Sequence, residues 1–380
     1  MATFTKIAKP SAHHDEVLYA GSDSEQTITG LGFQPDWLHI KNRNENGNHN
    51  IIDTVRGIDK IVYVNSTDGQ DTESKVSAIT SDGFTLVGNK PNTNDADDGF
   101  IAHCFKLAGS TTTNDASATG VGTIDSSYRA NTDSGISVVT WTGTGAIGTI
   151  AHGLGKAPDC IIMKDVGQDG YHWENYMHSG NAGGSPENNA ASDEDHHIQF
   201  FNNDGTPDPD DDHDYFNDTK PTSTVFSVGA KNNINQSGIS QMAICIANTN
   251  GSVRAGSYQG NGKTHGSFVF TGFRPRAIWV KPMLTEDPHW KTVTTRFTSA
   301  TNAAASSGGA NHGNPIEHNL KTGDASAKAE VQQCKLDIFS NGFSPNTTDG
   351  KHNGGGYYYY YIAWAGAPMV GTNKVLGTAF

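Results

Sequence analysis

Three segments of the chain place apolar residues two positions apart directly after a Gly-x-x-Pro turn: Gly32–Lys41, Gly155–Lys164 and Gly272–Lys281. They align without a gap as G-x-x-P-x-x-[LI]-x-[IMV]-K. Apolar residues at a period of two point to one face of a strand, because successive side chains leave opposite faces. Glycine tolerates positive φ and proline fixes its own, so together they mark the turn that feeds the strand. The closing lysines Lys41, Lys164 and Lys281 are read as the points where each strand leaves the core.

The prolines of these segments are 123 and 117 residues apart, a domain-sized period and not the roughly 20–50 residues of a solenoid. Other landmarks recur in step. Tyr19, Trp141 and Tyr258 precede the prolines by 16, 17 and 17 residues, and each has a glycine two positions on. This predicts a first strand running into a Gly-rich hairpin. Thr142–Gly145 and Gly260–Gly262 are not read as phosphate loops: Lys263-Thr264 follows the second, but no helix pattern begins after either, so both read as hairpin glycines. Phe84, Phe226 and Phe343 lie 49, 68 and 68 residues past the prolines, so the first copy is shortened in its middle. Closing strands follow, aligned on Ala102, Ala243 and Ala363 at 18, 17 and 20 residues beyond those phenylalanines.

The expected fold is all-β: three tandem β-sandwich-like (jelly-roll-like) modules at 17–108, 134–250 and 251–368. Residues 1–16, with His13-His14-Asp15-Glu16, read as a polar N-terminal arm. Residues 109–133 read as a Ser/Thr/Asn-rich linker, and 369–380 as a C-terminal tail. Composition agrees with this class, because only 34% of the 380 residues are hydrophobic while 44 are glycine. That balance favours short strands and many turns.

A net charge of −14, from 40 acidic and 26 basic residues, argues against nucleic acid as a partner. No apolar run approaches the roughly 18 residues of a membrane span, and the N-terminus leads into no signal-peptide core. Neither membrane insertion nor secretion by signal peptide is expected. Cys104, Cys160, Cys245 and Cys334 lack C-x-x-C spacing, and Cys104 and Cys245 hold matching positions, which suits buried core thiols.

Chemistry-bearing patterns are sparse. The run Asp204–Asp214 offers weak calcium candidates in Asp204, Asp208, Asp210 and Asp212, but it lacks the glycine and terminal glutamate of an EF-hand and reads as a solvated loop. His172, His178, His196, His197 and His213 read as loop histidines without an H-E-x-x-H or Cys/His zinc motif, so no metal or cofactor is expected. There is no G-x-S-x-G elbow, and carboxylate pairs for glycan hydrolysis leave no fixed trace in sequence. No enzyme is indicated. Trp173 and Trp290 each follow a signature lysine by nine residues, fitting core packing or, more sharply, glycan stacking; Asn50 stands there in the first copy. Alternation along Tyr357–Tyr361 sends tyrosines to both faces, so Tyr357, Tyr359 and Tyr361 imply a strand covered on both sides or at a subunit interface.

The segments Val138–Gly145, Ala151–Pro158, Asn217–Gly229, Gly256–Gly262, Phe270–Pro275 and Ser340–Phe343 carry a family likeness. The chain resembles β-rich repeat-domain proteins of tailed phages, especially marine phages, whose biochemical activity is unknown and which are often labelled virion structural or tail-fibre proteins. The likeness covers most of 134–368 and, more weakly, 17–108. It implies a virion-surface protein made in the host cytoplasm and released without a signal peptide. The expected role is a tail fibre, appendage or host-adhesion component, with capsid decoration as one alternative and a glycan-binding or glycan-cleaving depolymerase as another. Implied partners are other virion proteins, further copies of the chain (a trimer is the guess) and a host surface glycan. Recognition is expected where the copies differ, chiefly 165–220 and 282–335.

Overall fold

A computed structural model describes residues 7, 9–45, 47–178, 196–199, 208–209, 215–282, 290–295, 316–320 and 335–368. The fold is all-β, with 46% strand and 4% helix. Among the described residues, three large antiparallel sheets and three small ones are formed.

Each large sheet has the same order at its centre: first strand, closing strand, signature strand, next strand. In the first module these are His14–Ala20, Gly99–Phe105, Trp37–Asn42 and Asn50–Asp53. In the second they are Ile136–Thr142, Ser240–Ile246, Cys160–Asp165 and Glu174–Met177, and in the third Val253–Gln259, Tyr358–Pro368, Phe273–Pro282 and Trp290–Thr294. The landmark phenylalanines sit in the small sheets, in Gly83–Leu86, Val225–Val228 and Gly342–Pro345. Between each large and small sheet lies an apolar core: Leu38, Ile40, Phe84 and Cys104 in the first, Ile161, Met163, Phe226 and Cys245 in the second, and Ile278, Val280, Phe343 and Ala363 in the third.

The signature turn uses its glycine for the backbone it alone adopts without strain. Gly32, Gly155 and Gly272 have φ of 74°, 66° and 82°. In the third module the strand starts earlier, at Phe273, and its register shifts around Pro275. A bulge is where a strand can hold a residue with no N–H to donate.

Among the described residues, the first, closing and signature strands of each large sheet are covered on both faces, while outer strands such as Asp71–Thr72 and Thr112–Asn114 reach solvent. Trp37, Cys160, Ile162, Ala277 and Trp279, on the side away from the small sheets, join Phe105, Trp173, Ile244, Ile362 and Trp364 in one core shared by all three modules. An antiparallel sheet commonly leaves one face in water; here the second face of these central strands packs against the neighbouring modules. Polar contacts close the ring. Trp173 Nε1 donates to Tyr63 O (3.0 Å) and Arg129 Nη1 pairs with Asp36 Oδ1 (2.8 Å) between modules one and two. Ser252 Oγ donates to Ser134 O (2.9 Å) between two and three, and Arg276 Nη1 pairs with Asp15 Oδ1 (3.2 Å) between three and one.

Several sequence expectations change. Lys41, Lys164 and Lys281 do not leave the core; they are buried on the central face. Lys41 Nζ donates to Asn42 O at 3.0 Å. Lys164 Nζ donates to Thr67 O at 3.0 Å, across the module boundary, and to Tyr171 O. Burial lowers its pKa to about 8. The supposed arm is already fold: His14 to Glu16 are buried and pair with Phe105 to His103. The run 109–133 supplies Thr112–Asn114 and Ser126–Asn131, which extend the second large sheet beyond its first strand. Small polar side chains suit such an edge because it needs backbone pairing more than burial.

Strand pairing also revises one alignment. Ile40 faces Ala102 and Met163 faces Ala243, but Val280 faces Tyr361, not Ala363. Tyr361 lies 18 residues past Phe343, against 18 and 17 in the other copies. The register counterpart of Ala102 and Ala243 is therefore Tyr361, two residues before the alanine that matches them by type.

Candidate functional site

Four positions on the central face differ in kind between the modules. Register places His14 with Ile136 and Val253, and Glu16 with Val138 and Ala255. It places His39 with Ile162 and Trp279, and His103 with Ile244 and Ile362. All eight residues of modules two and three belong to the shared apolar core. Module one puts three imidazoles and a carboxylate in their place, at most 4% exposed. Extending the register by one residue also sets His49 opposite Lys41, as Trp173 and Trp290 stand opposite Lys164 and Lys281.

Strand pairing assembles the cluster. Glu16 lies across from His103 on one side of the closing strand and His39 on the other. Glu16 Oε1 is 2.9 Å from His103 Nδ1, and Glu16 Oε2 accepts from Thr294 Oγ1 of module three. His103 stacks on His39 with ring centroids 5.4 Å apart, and His49 lies 5.9 Å beyond. Trp279 sets its edge against both His39 and His103, at 5.7 and 6.3 Å. His14 stacks on Phe105 at 4.5 Å, beside Trp364. One ligand atom each from His14, Glu16 and His103 lies within 4.8 Å of the others. Burial, followed by the nearby His103 and Lys41, pushes the His39 pKa well below its ordinary value. His39 is therefore neutral at physiological pH.

The residues singled out by sequence are elsewhere. Trp173 is buried in the shared core, so it packs and offers no face to a sugar. Trp290 begins its strand, and its side chain lies outside the description. Tyr359 and Tyr361 are buried between the sheets of module three, while Tyr360, Ile362 and Trp364 point to the shared core. Of the two readings of that strand, coverage on both sides is the one found; Tyr357 alone of the three is exposed. Asp204, Asp210 and Asp212 lie outside the described residues, as do His213 and Cys334, and of Asp208 only the backbone is described. Cys104, Cys160 and Cys245 are buried, as expected of core thiols. The histidine–glutamate cluster is not legible in the sequence, because Glu16 and His103 are far apart in the chain and Glu16 sits in a polar segment that reads as an arm.

One model of a protein family spans the whole ring of modules: residues 9–368 match a domain of unknown function, DUF7483. The chain belongs to that family. No curated protein matches the chain. The DUF7483 match begins before His14 and ends at the last residue of the third closing strand, so it takes in every strand that contributes to the shared core.

A second concave feature lies between modules one and two. An open cleft of about 380 Å³ is lined by Arg56, Gln70, Asp125, Ser127, Thr140 and Trp141, among others. Hydroxyl, amide and guanidinium groups dominate its wall, with Asp125 the one carboxylate among its lining residues.

Proposed function

We propose that this member of DUF7483 is a non-enzymatic surface protein of a tailed-phage virion, serving as a tail fibre, appendage or host-adhesion component. The observation that carries this reading is the burial of the central strands of every large sheet on both faces. With the centre of the scaffold enclosed, recognition falls to outer strands, strand ends, insertions and the outer faces of the small sheets. That division of labour suits a display protein. The resemblance of the repeats to phage repeat-domain proteins supplies the setting. Mass spectrometry of purified virions tests the location: the protein is expected at stoichiometric copy number, and its absence from particles would overturn the proposal.

The polar cleft between modules one and two favours adhesion over passive capsid decoration, since such walls hydrogen-bond sugar hydroxyls. Purified protein is then expected to block phage adsorption, and Thr140→Arg, which fills the cleft, to relieve the block. Decoration would instead leave adsorption unchanged on deletion and weaken the capsid. Binding is favoured over cleavage, which uses two carboxylates. Release of reducing ends from host polysaccharide would establish the depolymerase instead.

Assembly with further copies, with a trimer as the working number, is part of the same proposal. Module three exposes Phe268 (49%), Phe270 (50%) and Phe339 (41%) on its small sheet. Register sets Thr27 and Thr149 at the place of Phe268 in the other modules. A phenylalanine patch confined to one copy suits a contact specific to that copy. Light scattering is expected to show Phe268→Ser/Phe270→Ser as a 40.4 kDa monomer while the parent chain self-associates; an unchanged mass would remove the patch from the interface.

A further inference from the structure

We propose that His14, Glu16 and His103 bind one divalent first-row transition-metal ion, zinc or a close neighbour, as a structural lock between modules one and three.

Three ligand atoms already converge within 4.8 Å, from residues that are all buried. Glu16 Oε1 and His103 Nδ1 approach to 2.9 Å, yet neither atom makes a hydrogen bond of acceptable geometry. Two donors that distance apart can each reach an ion at about 2.0–2.2 Å, subtending roughly a right angle there. The other carboxylate oxygen, Oε2, is held by Thr294, which leaves Oε1 to face inward. A hydrogen-bonded carboxylate of this kind is how proteins fix a ligating oxygen.

Internal comparison shows that the fold does not require these groups. Modules two and three fill the same three positions with Ile136, Val138 and Ile244, and with Val253, Ala255 and Ile362. Burying a carboxylate and imidazoles costs several kcal/mol where aliphatic groups cost nothing. A bound cation offsets that cost. His39, stacked on His103 with neither ring nitrogen hydrogen-bonded, extends the same substitution of polar for apolar.

The donor set chooses the ion. Two imidazoles and one carboxylate suit zinc, cobalt, nickel or iron(II), whereas calcium and magnesium take oxygen. Closure chooses the role. Three protein ligands leave the fourth position of a tetrahedral ion to a water or a neighbouring group, but every ligand is buried, and that closure fits a structural metal better than a catalytic one. The ion would tie the first strand to the closing strand and, through the Thr294–Glu16 bond and the packing of His14 beside Trp364, hold module three to module one.

The test uses untagged full-length protein stripped with chelator, then titrated with Zn²⁺ and Co²⁺ by calorimetry, with elemental analysis after desalting. One ion per chain is expected, with visible Co²⁺ absorption bands and a Zn²⁺-dependent rise in Tm. His14→Ile/Glu16→Val/His103→Ile installs the residues of module two, and is expected to retain the β spectrum and bind none. Glu16→Gln keeps shape and is expected to weaken binding by about tenfold or more. No uptake by the stripped parent chain, full uptake by the triple variant, or an unchanged Kd in Glu16→Gln would each overturn the site. Should the triple variant fail to fold, the Glu16→Gln titration decides alone.

Discussion

Trp279→Ala is expected to lower stability by about 3–5 kcal/mol and to do so for all three modules in one transition. The indole is buried in the shared core and meets residues of two modules: Trp364 of its own at 4.8 Å, and His39 and His103 of the first. Alanine leaves a cavity where two sheets meet, and neither can collapse into it without disturbing its own small-sheet core. Calorimetry is the measurement. A ring of modules around one core unfolds as a unit, so both parent and variant are expected to show a single endotherm, shifted down in the variant. Separate transitions, with only one moved, would mean that each module stands on its own sandwich core and that the shared core couples them little.

The local half of this architecture is legible in the sequence. Period-two alternation, turn glycines and repeated aromatic spacing lead to the signature, first and closing strands, because backbone sterics and side-chain alternation act within a few residues. The shared core is not legible in the same way. Corresponding positions there hold Trp37, Cys160 and Ala277, then His39, Ile162 and Trp279. A core filled once by three contributors needs complementary volumes, so the copies diverge where they meet and agree where each packs on its own small sheet. Repetition therefore marks the module cores, while difference marks the centre. The signature lysines show the same effect: a charged residue after an apolar run reads as a strand end, yet carbonyls such as that of Thr67 wait for Lys164 in the neighbouring module. The histidine–glutamate cluster depends on this reading of difference, since it stands out only once register sets it against the aliphatic residues of its sister modules.

Acid is expected to destabilise the fold through His152, by about 3 kcal/mol once the group has been carried from above its unfolded pKa to below its folded one. His152 is buried in module two. Its Nδ1 accepts from the Leu154 N–H at 3.2 Å, which leaves Nε2 to carry the proton and donate to Thr222 O at 3.2 Å. Burial lowers its pKa from 6.5 to about 4, an effect the Thr222 carbonyl only partly opposes. The sign follows from proton binding. Between about pH 6.5 and 4 the unfolded chain takes up a proton that the folded chain refuses, so stability falls as pH falls across that window. Above it both states are neutral at this residue and the contribution is flat. Protonation at Nδ1 would also turn the acceptor for Leu154 into a second donor, setting two N–H groups against each other. Denaturant unfolding from pH 7.5 to 4.5 measures the effect, and His152→Gln isolates it, because His13, His39 and His172 are also depressed and titrate in both proteins. The difference between parent and variant is expected to shrink steadily as the pH drops through the window. A difference independent of pH would show that His152 is protonated as readily in the folded chain as in the unfolded one.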